Sequence, residues 1–403
     1  MKFLGSITKE TNEIHLCLCQ GPGRQCRGFA APARYLDSLR RAGSLHVLVS
    51  HDDGYNTGLG LIPDDVQYRS RDTWRRAAMA GTLRGDMAFA LNAGEATLDP
   101  NYARYCARLA GLAMVGKVRG VKFAIAGSGF RPGVSAAPRA VRAMARVSDF
   151  VAWRDEESRS AAGCGSVAPD WAFGSGKPSG ALIAPERAGG RDLLAVSVRA
   201  AGPQLEYQRG QQIKDLARRA GLDPVVVVQV ARDNEAAQAV ARAHGFRCHS
   251  WRDGAHLQRE SDVRALYARS RVVVSNRVHA LIIGLTEGAA PLAPSEMGVE
   301  KVERIFRAAG IDGLMIDAGQ PISTAALERS EAECFRQLTS ARSSLEQAAA
   351  NLVSTLRTVP ITEPGDPAVI RRPVDGHVVP DGTVGTRCDS ANVATARTGP
   401  GDG

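Results

Sequence analysis

Of the 51 basic residues in this 403-residue chain only seven are lysines, at positions 2, 9, 117, 122, 177, 214 and 301. Basic residues exceed acidic ones by nine, but the arginines are scattered through helical segments and aromatics make up only 5% of the chain. A nucleic-acid partner calls for a basic stripe with stacking rings among it, so none is expected, and small anionic molecules fit better. Long apolar runs are missing as well. Without about 18 consecutive apolar residues no transmembrane segment is expected. MKFLGSITKE leads into polar sequence, so no signal peptide is expected and the protein is read as cytoplasmic. There is also no Cys-x-x-Cys pair among the eight cysteines. His15, Cys17, Cys19 and Cys26 form the one local cluster, but their spacing matches no zinc finger or ribbon. No metal is expected, and free thiols are the default in a reducing compartment.

Ala, Val and Leu supply most of a 44% hydrophobic content, enough for two cores in a chain of this length. Short apolar runs alternate with helical patterns, as in parallel sheets covered on both faces. Leu45 to Ser50, Met87 to Leu91, Val121 to Ala126 and Phe150 to Trp153 read as strands, with a helix from Ala137 to Ala145. After a Gly- and Pro-rich linker, Gly174 to Gly190, the pattern restarts. Leu193 to Val198, Val225 to Val230, Phe246 to Trp251 and Arg271 to Ser275 are strands, and Gln211 to Ala220, Glu235 to His244 and Asp262 to Ala268 are helices. The expected fold is therefore α/β, with two Rossmann-like domains facing across a cleft. Residues 1–178 form the first and 185–323 the second. Amphipathic helices follow at 324–358, and a disordered tail at 359–403, where Pro, Gly, Asp and Thr replace any apolar periodicity.

The densest candidate site lies between Arg271 and Phe306. Ser275 or Asn276 is placed to cap a helix whose apolar stripe is Val278, Leu281, Ile282 and Leu285. His279 falls about 100° from Val278, off the stripe and near a helix start that favours negative charge. Arg277 lies two residues earlier, at the carboxyl end of a strand, where ligands gather in open α/β sheets. Arg154 has the corresponding position after Phe150 to Trp153, with Asp155 capping the next helix. Gly127, Ser128 and Gly129 follow another strand, and as a loop they would expose backbone N–H groups to a ligand. Asp170 reads as a turn residue near the domain junction. Lys301 starts a helix from Gly298 to Ala309 and points away from its Val299, Val302 and Phe306 edge.

SDFVAWRDEES with VAPDWAF, then VVVVQVARDNEAA, then SNRVHALIIGLTEGAAP followed by EKVERIF, in that order and spacing, resemble the polysaccharide pyruvyl transferase family. The resemblance covers roughly Asp86 to Ile311. It implies a two-domain fold similar to the GT-B glycosyltransferases and a transferase that moves the pyruvyl group of phosphoenolpyruvate onto a sugar, forming a ketal with release of phosphate. It further implies that His279 is the catalytic acid/base and that Arg154, Arg277 and Lys301 bind the donor's phosphate and carboxylate. Phosphoenolpyruvate is then a substrate and no cofactor is called for. The acceptor would be a sugar of a cell-surface glycan or its precursor, which leaves room for peripheral membrane association through a lipid-linked acceptor. The family's N-terminal Gly-Asn-x-Gly-Asp loop has only fragments here, at Asn56-Thr57-Gly58 and Arg84-Gly85-Asp86. Two other readings share the scaffold: a nucleotide-sugar glycosyltransferase of the GT-B type, and a non-catalytic anion-binding homologue. All depend on the segments around 154 and 279 meeting in one positively charged crevice.

Overall fold

The computed structural model describes residues 13–17, 31–49, 58, 60–91, 93–131, 136–183, 190–200, 207–251 and 256–357. The His15 to Cys26 cluster and the 359–403 segment lie outside the residues whose side chains are described. Among the described residues Cys106, Cys248 and Cys334 are free thiols, no group of acidic, His or Cys residues has metal-binding geometry, and no helix is long and apolar enough to cross a membrane.

Two all-parallel sheets carry the chain. The first contains β1 (Glu13–Cys17), β2 (Ser44–Leu48), β3 (Val66–Tyr68), β4 (Met87–Leu91), β5 (Gly94–Ala96), β6 (Lys122–Phe130), β7 (Phe150–Trp153) and β8 (Ser166–Val167). Its order is β3-β2-β1-β4-β6-β7-β8, with β5 pairing the far end of β6. The second contains β9 (Leu193–Ser197), β10 (Asp223–Val227), β11 (Arg247–His249), β12 (Ser270–Ser275), β13 (Ala290–Pro294) and β14 (Met315–Ile316), in the order β11-β10-β9-β12-β13-β14. Both orders run outward from a first strand, then reverse to its other side, as in doubly wound dinucleotide-binding folds. The central strands are apolar on both faces because helices cover both: Leu193 to Ser197 and Val272 to Ser275 are wholly buried.

The strand expected to end at Ala126 continues to Phe130, so Gly127, Ser128 and Gly129 lie inside β6 and not in a loop. The reason is a partner that periodicity does not reveal: β5 pairs Gly94 with Ser128 and Glu95 with Gly129. Gly127 sits at φ 78°, where β6 shifts register against β7. The expected helix cap also moves. Arg277 is the N-cap residue of helix Val278–Glu287 and makes no side-chain cap bond, while Ser275 Oγ accepts the Arg277 N–H at 2.9 Å and donates to Ser197 O at 2.6 Å. The helix is buried on all sides except at His279, which is half-exposed. Arg84-Gly85-Asp86 is a helix C-cap: Gly85 has φ 79°, and its N–H donates to Gly81 O.

The amphipathic pattern after residue 323 forms one helix, Thr324–Leu356, capped by Ser323. Its first half packs Leu327, Phe335 and Leu338 into the core around the second sheet, and its last turns pack Leu345, Leu352 and Leu356 into a core of the first. Midway, the Arg342 guanidinium donates to Phe173 O (2.9 Å), Ser175 O (2.7 Å), Lys177 O (2.7 Å) and Ser179 Oγ (3.0 Å). Arg342 thereby ties the segment joining the two sheets to the helix. Arg342→Ala strands these acceptors and is expected to cost roughly 2–4 kcal/mol, read as a drop in Tm on thermal denaturation. An unchanged Tm would mean that water replaces the guanidinium without loss.

Candidate active site

Arg154 emerges from the end of β7 with its side chain only 4% exposed. It is held against the chain on every side. Its N–H donates to Ser128 O at 3.0 Å, and a Cβ at Gly129 would lie 2.7 Å from Arg154 Nε, so Gly129 is glycine to make room for the guanidinium. Gly127 makes the equivalent concession to Trp171, whose Cδ1 would sit 2.4 Å from a Cβ there. The three residues from Gly127 to Gly129 thus shape the floor beneath Arg154.

Three carboxylates surround that guanidinium. Glu95 Oε1 lies 3.4 Å from Nη2, Asp170 Oδ2 3.8 Å from Nη1, and Asp155 Oδ2 3.9 Å from Nε. Asp155 also caps helix Glu156–Ala162, its Oδ1 accepting from Ser158 N at 2.8 Å, and Asp170 caps the turn Trp171–Gly174 through Ala172 N at 3.0 Å. The second half of the chain then supplies its own basic side chains to these carboxylates and to Glu157. Lys301 Nζ is 3.1 Å from Glu95 Oε2, His279 Nε2 is 3.9 Å from Asp170 Oδ2, and Arg304 reaches Glu157 (3.1 Å), Asp155 (3.7 Å) and Glu95 (3.9 Å). Arg154, His279 and Lys301 therefore do meet across the two sheets.

The meeting place is not a net positive crevice. Arg154, Lys301 and Arg304 face Glu95, Asp155 and Asp170, so the fixed charges cancel. Burial raises the Asp170 carboxyl, but His279, Arg154 and the Ala172 N–H outweigh it and hold the group well below the usual carboxylate range. The folded value is depressed, so Asp170 contributes stability that is present above about pH 4 and is lost as pH falls through the folded value. Glu95 is likewise lowered: burial raises it, and Lys301 and Arg154 overcome that. Burial and Arg154 lower the Lys301 amine, partly offset by Glu95. Most of these contacts exceed hydrogen-bond length. Arg154 Nε and Nη2, Arg304 Nε and Nη2, Glu95 Oε1 and Asp155 Oδ2 are all buried without a hydrogen-bond partner. Buried donors with bonds still to make are suited to an anion that brings several oxygens.

Arg277 stands apart from this group. Its guanidinium is ion-paired with Asp233, at the carboxyl ends of β9 and β12 where the strand order reverses. The end of β9 is clamped beside it, with Arg199 N donating to Asn276 Oδ1 and Ala200 N to Asp233 Oδ1, both at 3.0 Å. Burial, Arg232 and Arg199 lower the Arg277 guanidinium. Two polar centres thus flank helix Val278–Glu287: the Arg154 cluster beside His279, and an arginine group beside Arg277.

Sequence reasoning missed Arg304, Glu95 and the central part of Asp170. Arg304 had a readable signal. It follows Lys301 by three residues, one turn along a helix (Glu300–Ala308) whose apolar contacts are Val302, Ile305 and Phe306. Glu95 had none, since it reads as a polar residue between short strands.

The sequence profile of the family described as polysaccharide pyruvyl transferase matches residues 52–291. No curated protein matches the chain. Among solved structures, UDP-GlcNAc 2-epimerase from Neisseria meningitidis, bound to UDP-GlcNAc, is similar with a TM-score of 0.51 at 11% identity, over 86% of this chain and 99% of that one. The catalytic domain of starch synthase IV from Arabidopsis thaliana, bound to ADP and acarbose, aligns with a TM-score of 0.46 at 12% identity, over 86% of this chain and 98% of that one. At 11% identity the likeness to the epimerase is one of fold, the paired Rossmann-like arrangement of the GT-B type. With the profile spanning more than half its length, this chain belongs to the polysaccharide pyruvyl transferase family.

Proposed function

We propose that the protein transfers the pyruvyl group of phosphoenolpyruvate to a sugar of a cell-surface glycan or its precursor. The reaction adds one sugar hydroxyl to C2 of the enol phosphate while a proton goes to the C3 methylene. Departure of phosphate leaves an oxocarbenium carbon, which a second hydroxyl of the same sugar captures, losing its proton and closing the ketal. Phosphoenolpyruvate is the donor substrate, and no cofactor enters this scheme.

The observation that carries the reading is the convergence of Arg154, Lys301, Arg304 and His279 on Glu95, Asp155 and Asp170, with donor atoms of Arg154 and Arg304 buried and unbonded. In this scheme Arg154 and Lys301 take the carboxylate and phosphate of the donor, with Arg304 completing the clamp, and Gly127, Ser128 and Gly129 set the depth of the pocket. Arginine forks suit both anions because they bond two oxygens at once. Arg277, with Arg199 and Arg232 nearby, offers a further contact for phosphate oxygens. His279 is the acid/base, beside Asp170, which orients the imidazole by charge.

Two measurements test the reading. Purified protein supplied with phosphoenolpyruvate and a panel of sugars should release phosphate. In thermal-shift titration it should be stabilised by phosphoenolpyruvate and not by nucleoside diphosphates. Stabilisation by a nucleoside diphosphate alone would favour a glycosyltransferase, and donor binding without transfer to any sugar a non-catalytic homologue.

Glu95 gives a sharper test, because its carboxylate occupies the cations that the donor needs. Glu95→Gln removes a competing negative charge and is expected to tighten phosphoenolpyruvate binding about tenfold, measured by calorimetry. Weaker binding in that variant would make Glu95 an organiser of the cations and not their competitor.

A further inference from the structure

Five of the eight large apolar side chains exposed among the described residues gather in one place. Met79, Leu83, Met114, Val115 and Val118 are each at least half exposed, and Val118 is 88% exposed. Met79 and Leu83 are one turn apart on helix Arg71–Arg84. Met114, Val115 and Val118 line the end of helix Pro100–Lys117 and its cap. The two helices bury their opposite sides, Trp74 and Ala78 on one and Cys106, Leu109 and Ala113 on the other, in the same core. Their carboxyl ends touch: Arg119 Nη1 donates to Leu83 O at 2.7 Å, and Gly85 closes against Arg119 O. The two stripes therefore form one patch.

Basic side chains share these two helices with the patch, one of them, Lys117, lying 3.5 Å from Asp149 Oδ1. Arg75, Arg76, Arg84, Arg108, Lys117 and Arg119 are exposed on these two helices and their caps. Helix Pro100–Lys117 carries no Asp or Glu, and the acids of the other segment, Asp72 and Asp86, already contact Arg75 and Arg84. An apolar patch of Met, Leu and Val with arginines on the same helices is poorly suited to water and well suited to the boundary between headgroups and acyl chains. The long basic side chains reach the phosphates while their stems lie along the apolar surface.

We propose that this patch docks the protein on an anionic bilayer surface. The inference is independent of the pyruvyl-transfer reading. The helix ends lead into the amino ends of β4 and β6, whereas Arg154 and His279 lie beyond the carboxyl ends of their strands. A docked molecule thus carries Arg154 at the opposite edge of the first sheet from the bilayer.

The test is flotation of the full chain with vesicles of phosphatidylcholine alone or with about 30 mol% phosphatidylglycerol, at salt of about 0.1 M and about 0.5 M. Binding is expected only to the anionic vesicles and chiefly at low salt. The triple variant Leu83→Gln, Met114→Gln, Val118→Gln is expected to bind at least about tenfold more weakly with an unchanged Tm, since all three side chains are exposed. Arg76→Glu with Arg108→Glu should weaken binding similarly. The proposal is overturned if no vesicle retains the protein, if binding ignores lipid charge, or if the substitutions leave it intact. It is also overturned if sedimentation velocity shows a dimer that the triple variant dissociates, which would make the patch a contact between copies of this chain.

Discussion

His279→Ala is expected to slow phosphate release from phosphoenolpyruvate by roughly 10²- to 10⁴-fold, the range that a positioned acid or base contributes. The fold should survive, because His279 is the one residue of its helix that is not buried, and Val278, Leu281, Ile282 and Leu285 hold the helix without it. Donor binding should change little, since the cations facing Glu95 remain in place. Steady-state phosphate release together with a thermal-shift titration separates the two effects. A large fall in kcat with an unchanged donor Kd is the expected result. Undiminished turnover would take His279 out of the chemistry and return the site to simple anion binding.

Arg154→Met should be the most damaging single change to the architecture of the site. It leaves Glu95, Asp155 and Asp170 with a methyl thioether where a guanidinium lay within 4 Å of each. Stranding buried charge in this way costs about 3–5 kcal/mol, so Tm should fall and donor binding should be lost together. Adding Glu95→Gln to Arg154→Met should restore part of the stability but not the binding, because it removes one stranded charge and no donor for the anion is regained. Arg154→Lys should recover less than charge alone suggests, since one ammonium cannot reach three carboxylates lying in different directions. If Arg154→Met unfolds at the wild-type temperature, the carboxylates are neutralised by Lys301 and Arg304 alone.

Much of this arrangement was legible in the residues. β4 and β7 match their apolar runs, Met87 to Leu91 and Phe150 to Trp153, because a strand buried on both faces leaves an unbroken hydrophobic signature. His279 was readable as lying off the packed stripe because helical periodicity fixes angles, and Arg154 as facing a ligand position because it follows a strand. What failed was long-range. Gly127 to Gly129 resembled a loop because glycine is the usual punctuation of one. Here the reason for glycine lies in Arg154 and Trp171, which are distant in sequence and fill the missing Cβ positions. The balance of charge was invisible for the same cause. Lys301 and Arg304 reveal their shared face locally, but Glu95, on a three-residue strand, gains its meaning only from partners some 59 to 209 positions away.

Helix Thr324–Leu356 is anchored at one end under the second sheet and at the other under the first, with Arg342 bolted to the connecting segment at its midpoint. Opening or closing between the two sheets therefore cannot leave this helix untouched: either the Leu327, Phe335 and Leu338 contacts at one end or the Leu345, Leu352 and Leu356 contacts at the other must shift with it.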